Sequence, residues 1–107
     1  MVVTDHISAM LAYWDKDLVC RFANRAYQEW FGKSKEQMVD CITLPELLGP
    51  LLYEKNRTYI ESALGGHKQE FEREITMPDG TVRQSLATYV PNVVNGQVKG
   101  FLCMWQM

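Results

Sequence analysis

Arg73 is the residue whose type and position ask most of its surroundings. In residues 69–77, Phe71, Arg73, Ile75 and Met77 alternate with Glu70, Glu72, Glu74 and Thr76, so the guanidinium shares a face with three apolar side chains. An unpaired charge on such a face is costly. Either it grips an anion, such as a carboxylate held in bidentate fashion, or its stem packs while its head reaches water or an internal acid. The three glutamates on the opposite face have no visible acid partner and read as a solvated edge rather than as catalytic carboxylates. Tyr27, Trp30 and Phe31 recur at helical spacing, the pattern of plain core as much as of a ligand pocket. Tyr53 and Tyr59 each carry a hydroxyl that needs a partner wherever it is buried.

No catalytic or metal-binding set stands out. Cys20, Cys41 and Cys103 are an odd number at wide spacing with no CxxC pair, and only His6 and His67 accompany them. Neither a disulfide frame nor a zinc site is indicated. Cys20 and Cys103 lie in apolar strand segments, where a thiol behaves as a small hydrophobe. No nucleophile elbow or triad has its local context. A reducing, cytoplasmic compartment is the expectation, and the first ten residues lack the basic and apolar regions of an export signal.

The elements that must hold these residues are legible from period and punctuation. Residues 10–14 read as a first strand, Asp15, Lys16 and Asp17 as a turn, and residues 17–23 as a second strand with Leu18, Cys20 and Phe22 on one face and Val19, Arg21 and Ala23 on the other. Asn24 fits an N-cap for a short helix that stops at Gly32. Ser34 with Gln37 and Thr43 with Glu46 form capping boxes for two more short helices, the latter flanked by Ile42 and Leu47 as a hydrophobic staple. Gly49 breaks the third, and Pro50 opens a longer helix to Leu64 with Leu52, Tyr53, Ile60, Ala63 and Leu64 as its inward stripe. After Gly65 and Gly66 come strands over 69–77, 82–90 and 97–105, separated by a Pro78-Asp79-Gly80 turn and an Asn95-Gly96 hairpin.

The chain has 107 residues, 47% of them hydrophobic, enough for one domain with a modest core. Eleven basic residues interleave with 13 acidic ones for a net charge of -2, which leaves no phosphate-tracking patch and argues against nucleic acid as a partner. No window nears the roughly 20 apolar residues of a membrane span. Two strands, short helices, a longer helix and a three-strand meander define an α+β fold: a five-stranded antiparallel sheet with helices on one face.

Four segments in this order, YWDKDLVCRFANRAYQEWFG, ELLGPLLYEKNRTYIESALGG, EFEREITMPDGTVR and GQVKGF, give the chain a resemblance to PAS domains of the bacterial sensory type over nearly all of residues 1–107, with 1–9 as a flanking segment. The resemblance implies a pocket between the helices and the concave sheet face, with Tyr27, Phe31, Tyr53, Ile60, Leu64, Phe71, Arg73, Leu86 and Cys103 as its candidate lining. It also implies a homodimer formed through the outer face and flanking helices, with an effector domain elsewhere in the same full-length protein. The sequence departs from the family pattern in two places. Asp40 and Cys41 stand where similar domains carry glycine and a basic residue, and the chain runs to Trp105, Gln106 and Met107 without the Asp-Ile-Thr tail that leads to a signalling helix, so the output linker is expected to lie outside it.

Cofactors are narrowed by subtraction. A light-oxygen-voltage flavin sensor needs its reactive cysteine on a helix, whereas Cys20 sits on a strand; a haem sensor wants an axial histidine on the long helix, which has none. Flavin and haem are therefore disfavoured, and a small organic metabolite is the remaining ligand class. The expected function is sensing and relay in a bacterial histidine kinase or cyclic-dinucleotide enzyme, with no catalysis by this domain. The alternatives are a structural homodimerisation module with a filled core and a small cone-shaped α+β enzyme.

Overall fold

The computed structural model describes residues 9–76 and 79–106, without the side chain of Trp30. The readings made for His6, Met77, Pro78 and most of the 1–9 flank fall outside those residues. The elements are β1 (Met10–Asp15), β2 (Cys20–Ala23), α1 (Ala26–Phe31), α2 (Lys35–Met38), α3 (Leu44–Leu64), β3 (Gln69–Thr76), β4 (Val82–Val94) and β5 (Gln97–Gln106). All five strands join one antiparallel sheet in the order β2-β1-β5-β4-β3. The last strand returns to pair with the first, and α3 packs across β3, β4 and β5.

Local chemistry explains most element ends. Ser34 and Thr43 both close reciprocal capping boxes: the Ser34 and Thr43 amides donate to Gln37 Oε1 at 2.8 Å and Glu46 Oε1 at 2.9 Å. Ile42 and Leu47 pack against the core beside the second box. Gly49 has φ 78° and ψ 164° inside α3, so the helix is broken there and resumes at Pro50, whose missing N–H costs nothing at a helix start. Asn95 and Gly96, at φ 52° and 77°, form the tight hairpin turn between β4 and β5.

Two expectations are corrected at the entry. Asn24 is not the N-cap of α1; Arg25 holds that position and makes no side-chain cap. Asn24 is instead buried, its Oδ1 accepting from the Leu11 amide at 3.1 Å and its Nδ2 donating to the Ala9 carbonyl at 2.9 Å, which satisfies backbone groups along β1. The strict alternation over residues 17–23 also fails. Leu18 sits at φ 63°, the strand begins at Cys20, and a bulge opposite Tyr13 and Trp14 inserts Arg21 between Cys20, paired with Trp14, and Phe22, paired with Tyr13. The extra residue reverses the phase, so Cys20 and Ala23 face the core while Phe22 is exposed. Asp40 takes a left-handed φ of 61°, a conformation glycine adopts more readily. Its carboxylate accepts from Arg21 Nη1 at 2.6 Å, and Arg21 Nε donates to Asp15 Oδ2 at 2.9 Å, joining this loop to the first hairpin.

The inner sheet face is built from Met10, Ala12 and Trp14 on β1, Phe101, Cys103 and Trp105 on β5, Ala87 and Tyr89 on β4, and Phe71 and Ile75 on β3, all buried. The outer face of β3 carries Glu70, Glu72 and Glu74, all exposed, as the alternation requires.

Candidate functional site

Two aromatic chains occupy the space between helices and sheet. Tyr27 stacks on Phe31, which meets Trp105 edge-on at 6.4 Å between centroids. Tyr59 of α3 lies flat on Phe71 of β3 at 3.9 Å, and Phe71 continues edge-on to Tyr89 at 5.2 Å and then to Phe101. Burial between such rings contributes on the order of 1 kcal/mol per pair beyond area alone.

Beside the second chain is a partly buried polar cluster. Arg73 Nε donates to Asn56 Oδ1 at 2.7 Å, and Nη2 donates to the Lys55 carbonyl at 3.3 Å. The guanidinium carbon lies 5.3 Å from the Phe71 ring centroid. Among the described residues the Arg73 head meets neither an anion nor an internal acid: its acceptors are a neutral side-chain amide and a backbone carbonyl, while its half-buried position at the edge of an open hollow leaves the expected route to water open. Asn56 is 0% exposed, and its Nδ2 has no hydrogen-bond partner; nor has the buried hydroxyl of Tyr89 or the indole N–H of Trp14. Burial holds the Tyr89 hydroxyl well above the ordinary phenol value, with the nearby Asn56 amide and Arg73 charge opposing part of the rise. The hydroxyl is therefore neutral and able to donate. Asn56 and Tyr89 are close enough to sense each other without meeting hydrogen-bond geometry.

An open cleft of about 480 Å³ adjoins this cluster at the Gly49–Pro50 break. Phe31, Leu47, Leu48, Leu52 and Ile75 give it an apolar wall, and the exposed Lys55 and Glu74 stand at its edge. Lys55 links cleft and cluster, because its carbonyl receives Arg73. The volume falls within the range of small-molecule sites.

The residues expected to line a pocket are dispersed over these features. Phe31 lines the cleft. Tyr27, Ile60, Phe71 and Cys103 are buried in the core, and Tyr53 and Leu64 are half-buried against it. Arg73 anchors the polar cluster. Leu86 is a correction: it pairs across the sheet with Glu72 and Gln106 and shares a surface hollow with Gln84, so it is on the outer face. On β4 it is Ser85, Ala87 and Tyr89 that turn inward, a phase that short polar and small residues did not reveal. Asn56 was missed, although its spacing held the signal: it stands four residues after Leu52 and four before Ile60, on the apolar stripe itself. Tyr89 was missed with the phase of β4.

The cysteines divide by burial. Burial pushes the Cys20 thiol up to about 11 and raises Cys103 further still; Cys103 also accepts the indole N–H of Trp105. Cys41 is exposed. A thiol reagent applied to the native protein at mildly alkaline pH is expected to modify Cys41 rapidly and to reach Cys20 and Cys103 only on unfolding. Rapid modification of all three would contradict the packing described.

Comparison with known proteins follows the same lines. The family model for the PAS fold matches residues 4–106. Among solved structures, the PAS domain of a Colwellia psychrerythraea protein is 22% identical, with 97% of this chain and 89% of that chain covered and a TM-score of 0.78. The PAS domain of Bordetella pertussis BvgS is 21% identical over 98% and 80% of the two chains, TM-score 0.77. VqmA bound to DPO is 21% identical, TM-score 0.79, over 97% of this chain but 53% of its own. No curated protein matches the sequence. The chain belongs to the PAS family.

Proposed function

We propose that this domain is the sensory and signal-relaying module of a bacterial signalling protein, a histidine kinase or a cyclic-dinucleotide enzyme, and that it receives a small molecule between α3 and the inner face of the sheet. It catalyses nothing itself. The observation that carries the reading is the pair of unpartnered buried groups, Asn56 Nδ2 and Tyr89 Oη, with Arg73 bonded to Asn56 and an apolar cleft that reaches the same helix at Lys55. Buried polar groups are nearly always hydrogen-bonded, and leaving one unmet costs about 1–3 kcal/mol. A ligand that meets both repays that cost at the site where it binds. VqmA, which shares the fold, holds DPO, and this supports a small-molecule role for the same architecture.

Relay follows from where the three side chains originate. Asn56 belongs to α3, Arg73 to β3 and Tyr89 to β4, so a molecule touching all three ties the helix to the sheet. Its occupancy shifts the domain between two arrangements only by its differential affinity for them. On the outer face Phe22, Tyr13, Leu102 and Val90 form one cross-strand row, with Phe22, Leu102 and Val90 at 44%, 40% and 41% exposure. Such a row is suited to pairing with a second copy, and the effector belongs to sequence beyond this chain. Among the described residues no helix is long and apolar enough to cross a membrane. Three free cysteines suit a reducing cytoplasm.

Native mass spectrometry of protein purified without added ligand tests the reading. A dimer with a defined extra mass is expected. A dimer of bare chain mass, unchanged by a metabolite panel, would instead favour a homodimerisation module with a filled core, the reading the two aromatic chains support. Tyr89→Phe gives a second test. In ligand-free protein it is expected to be neutral or to stabilise by up to about 1 kcal/mol, because the hydroxyl it removes has no partner, while ligand retention falls. A loss of more than about 2 kcal/mol in ligand-free protein would mean the hydroxyl is already satisfied.

A further inference from the structure

We propose, building on the ligand-binding reading above, that the molecule received is a carboxylate on an apolar body, an aryl or short acyl carboxylate. Both unmet groups at the polar cluster are able to donate. Asn56 offers Nδ2, Tyr89 offers its hydroxyl, and neither has a partner. The two acceptors within reach, Asn56 Oδ1 and the Lys55 carbonyl, are already taken by Arg73. An amine would find only the Tyr89 oxygen free to accept, with two cations alongside, whereas a carboxylate brings two oxygens and no donor.

Charge points the same way. Arg73 has no carboxylate partner among the described residues, since its bonds go to neutral acceptors. Lys55 lines the apolar cleft and also a hollow of about 330 Å³ that includes Arg73, so two cations from α3 and β3 flank one gap. Glu72 and Glu74 border that hollow too. Both belong to the outward set of β3, and Glu74 Oε1 accepts from Gln84 Nε2 at 3.2 Å, which holds it toward β4. An anion on the inner side gains charge-assisted bonds there, which are about twice as strong as neutral ones. The cleft walled by Leu47, Leu48 and Leu52 takes the apolar remainder.

The test is calorimetric titration with phenylacetate and octanoate against their uncharged counterparts, phenylacetamide and octanamide. The same titrations are made on Arg73→Gln and on Lys55→Gln, the latter an exposed position that leaves folding intact. At least one carboxylate is expected to bind at least about tenfold more tightly than its amide. That preference is expected to shrink in Lys55→Gln and to vanish in Arg73→Gln. Equal binding of acid and amide overturns the head-group assignment while leaving the ligand site standing. Carboxylate binding unaffected by either substitution overturns the location. Silence from all four probes overturns the carboxylate class, and native mass spectrometry then decides separately whether any small molecule is retained.

Discussion

Replacing Gly100 with alanine is expected to remove a large part of this domain's stability. Gly100 pairs with Asp15 where β5 meets β1. A Cβ there would come within 2.3 Å of the Trp14 carbonyl oxygen and 2.8 Å of both Asp15 Cα and Tyr13 Oη. The first two are backbone atoms of the paired strand and cannot rotate away. Relief requires the strands to part, which disturbs Trp14 and Phe101, both fully buried and opposite each other. The expected loss exceeds about 3 kcal/mol, against a total of roughly 5–15 kcal/mol for a domain. It should appear as a fall in Tm of more than about 10 °C in a thermal melt. Gly96→Ala is the control: it has φ 77° and nothing within 4 Å of an added Cβ, so only backbone strain of about 1 kcal/mol applies. Equal losses for the two variants would contradict the close approach of β1 and β5.

Asn56→Leu is expected to be the most damaging change within the polar cluster. It keeps the volume on α3 but strips Arg73 Nε of an acceptor 2.7 Å away, leaving a half-buried charge with only the Lys55 carbonyl. The expected loss is about 2–3 kcal/mol in denaturant titration. Arg73→Met in the same background should then cost little, because the charge that needed Asn56 is gone. The two substitutions are expected to couple by about 1–2 kcal/mol. Additivity to within about 0.5 kcal/mol would mean that helix and strand are not joined through this bond.

The sequence announced the scaffold more fully than the site, for reasons visible in single residues. The strands β3 and β5, the two capping boxes, the Gly49–Pro50 break and the Asn95-Gly96 hairpin all rest on interactions between residues close in the chain, which local pattern encodes. Asn24 misled because an Asn before a helix satisfies both a cap and a cross-strand role, and only the approach of β1 decides between them. The β2 bulge depends on register against Tyr13 and Trp14, which no window over β2 contains. Arg73 was singled out correctly as a charge on an apolar face, but its partner lies 17 residues earlier, on a helix whose crossing over β3 is a tertiary fact. Leu86 entered the candidate lining through the resemblance, and the inward phase of β4, carried by Ser85, Ala87 and Tyr89, turned it out.

High-resolution crystallography of the protein purified without added ligand asks most directly whether the cluster of Asn56, Tyr89 and Arg73 is a ligand site. The account predicts continuous density for several bonded atoms, with an acceptor within hydrogen-bond distance of both Asn56 Nδ2 and Tyr89 Oη and an apolar portion reaching toward Leu52 and Ile75. A single isolated water joining the two groups, with Arg73 still on Asn56 and the aromatic chains closed over it, would contradict the sensory-ligand reading.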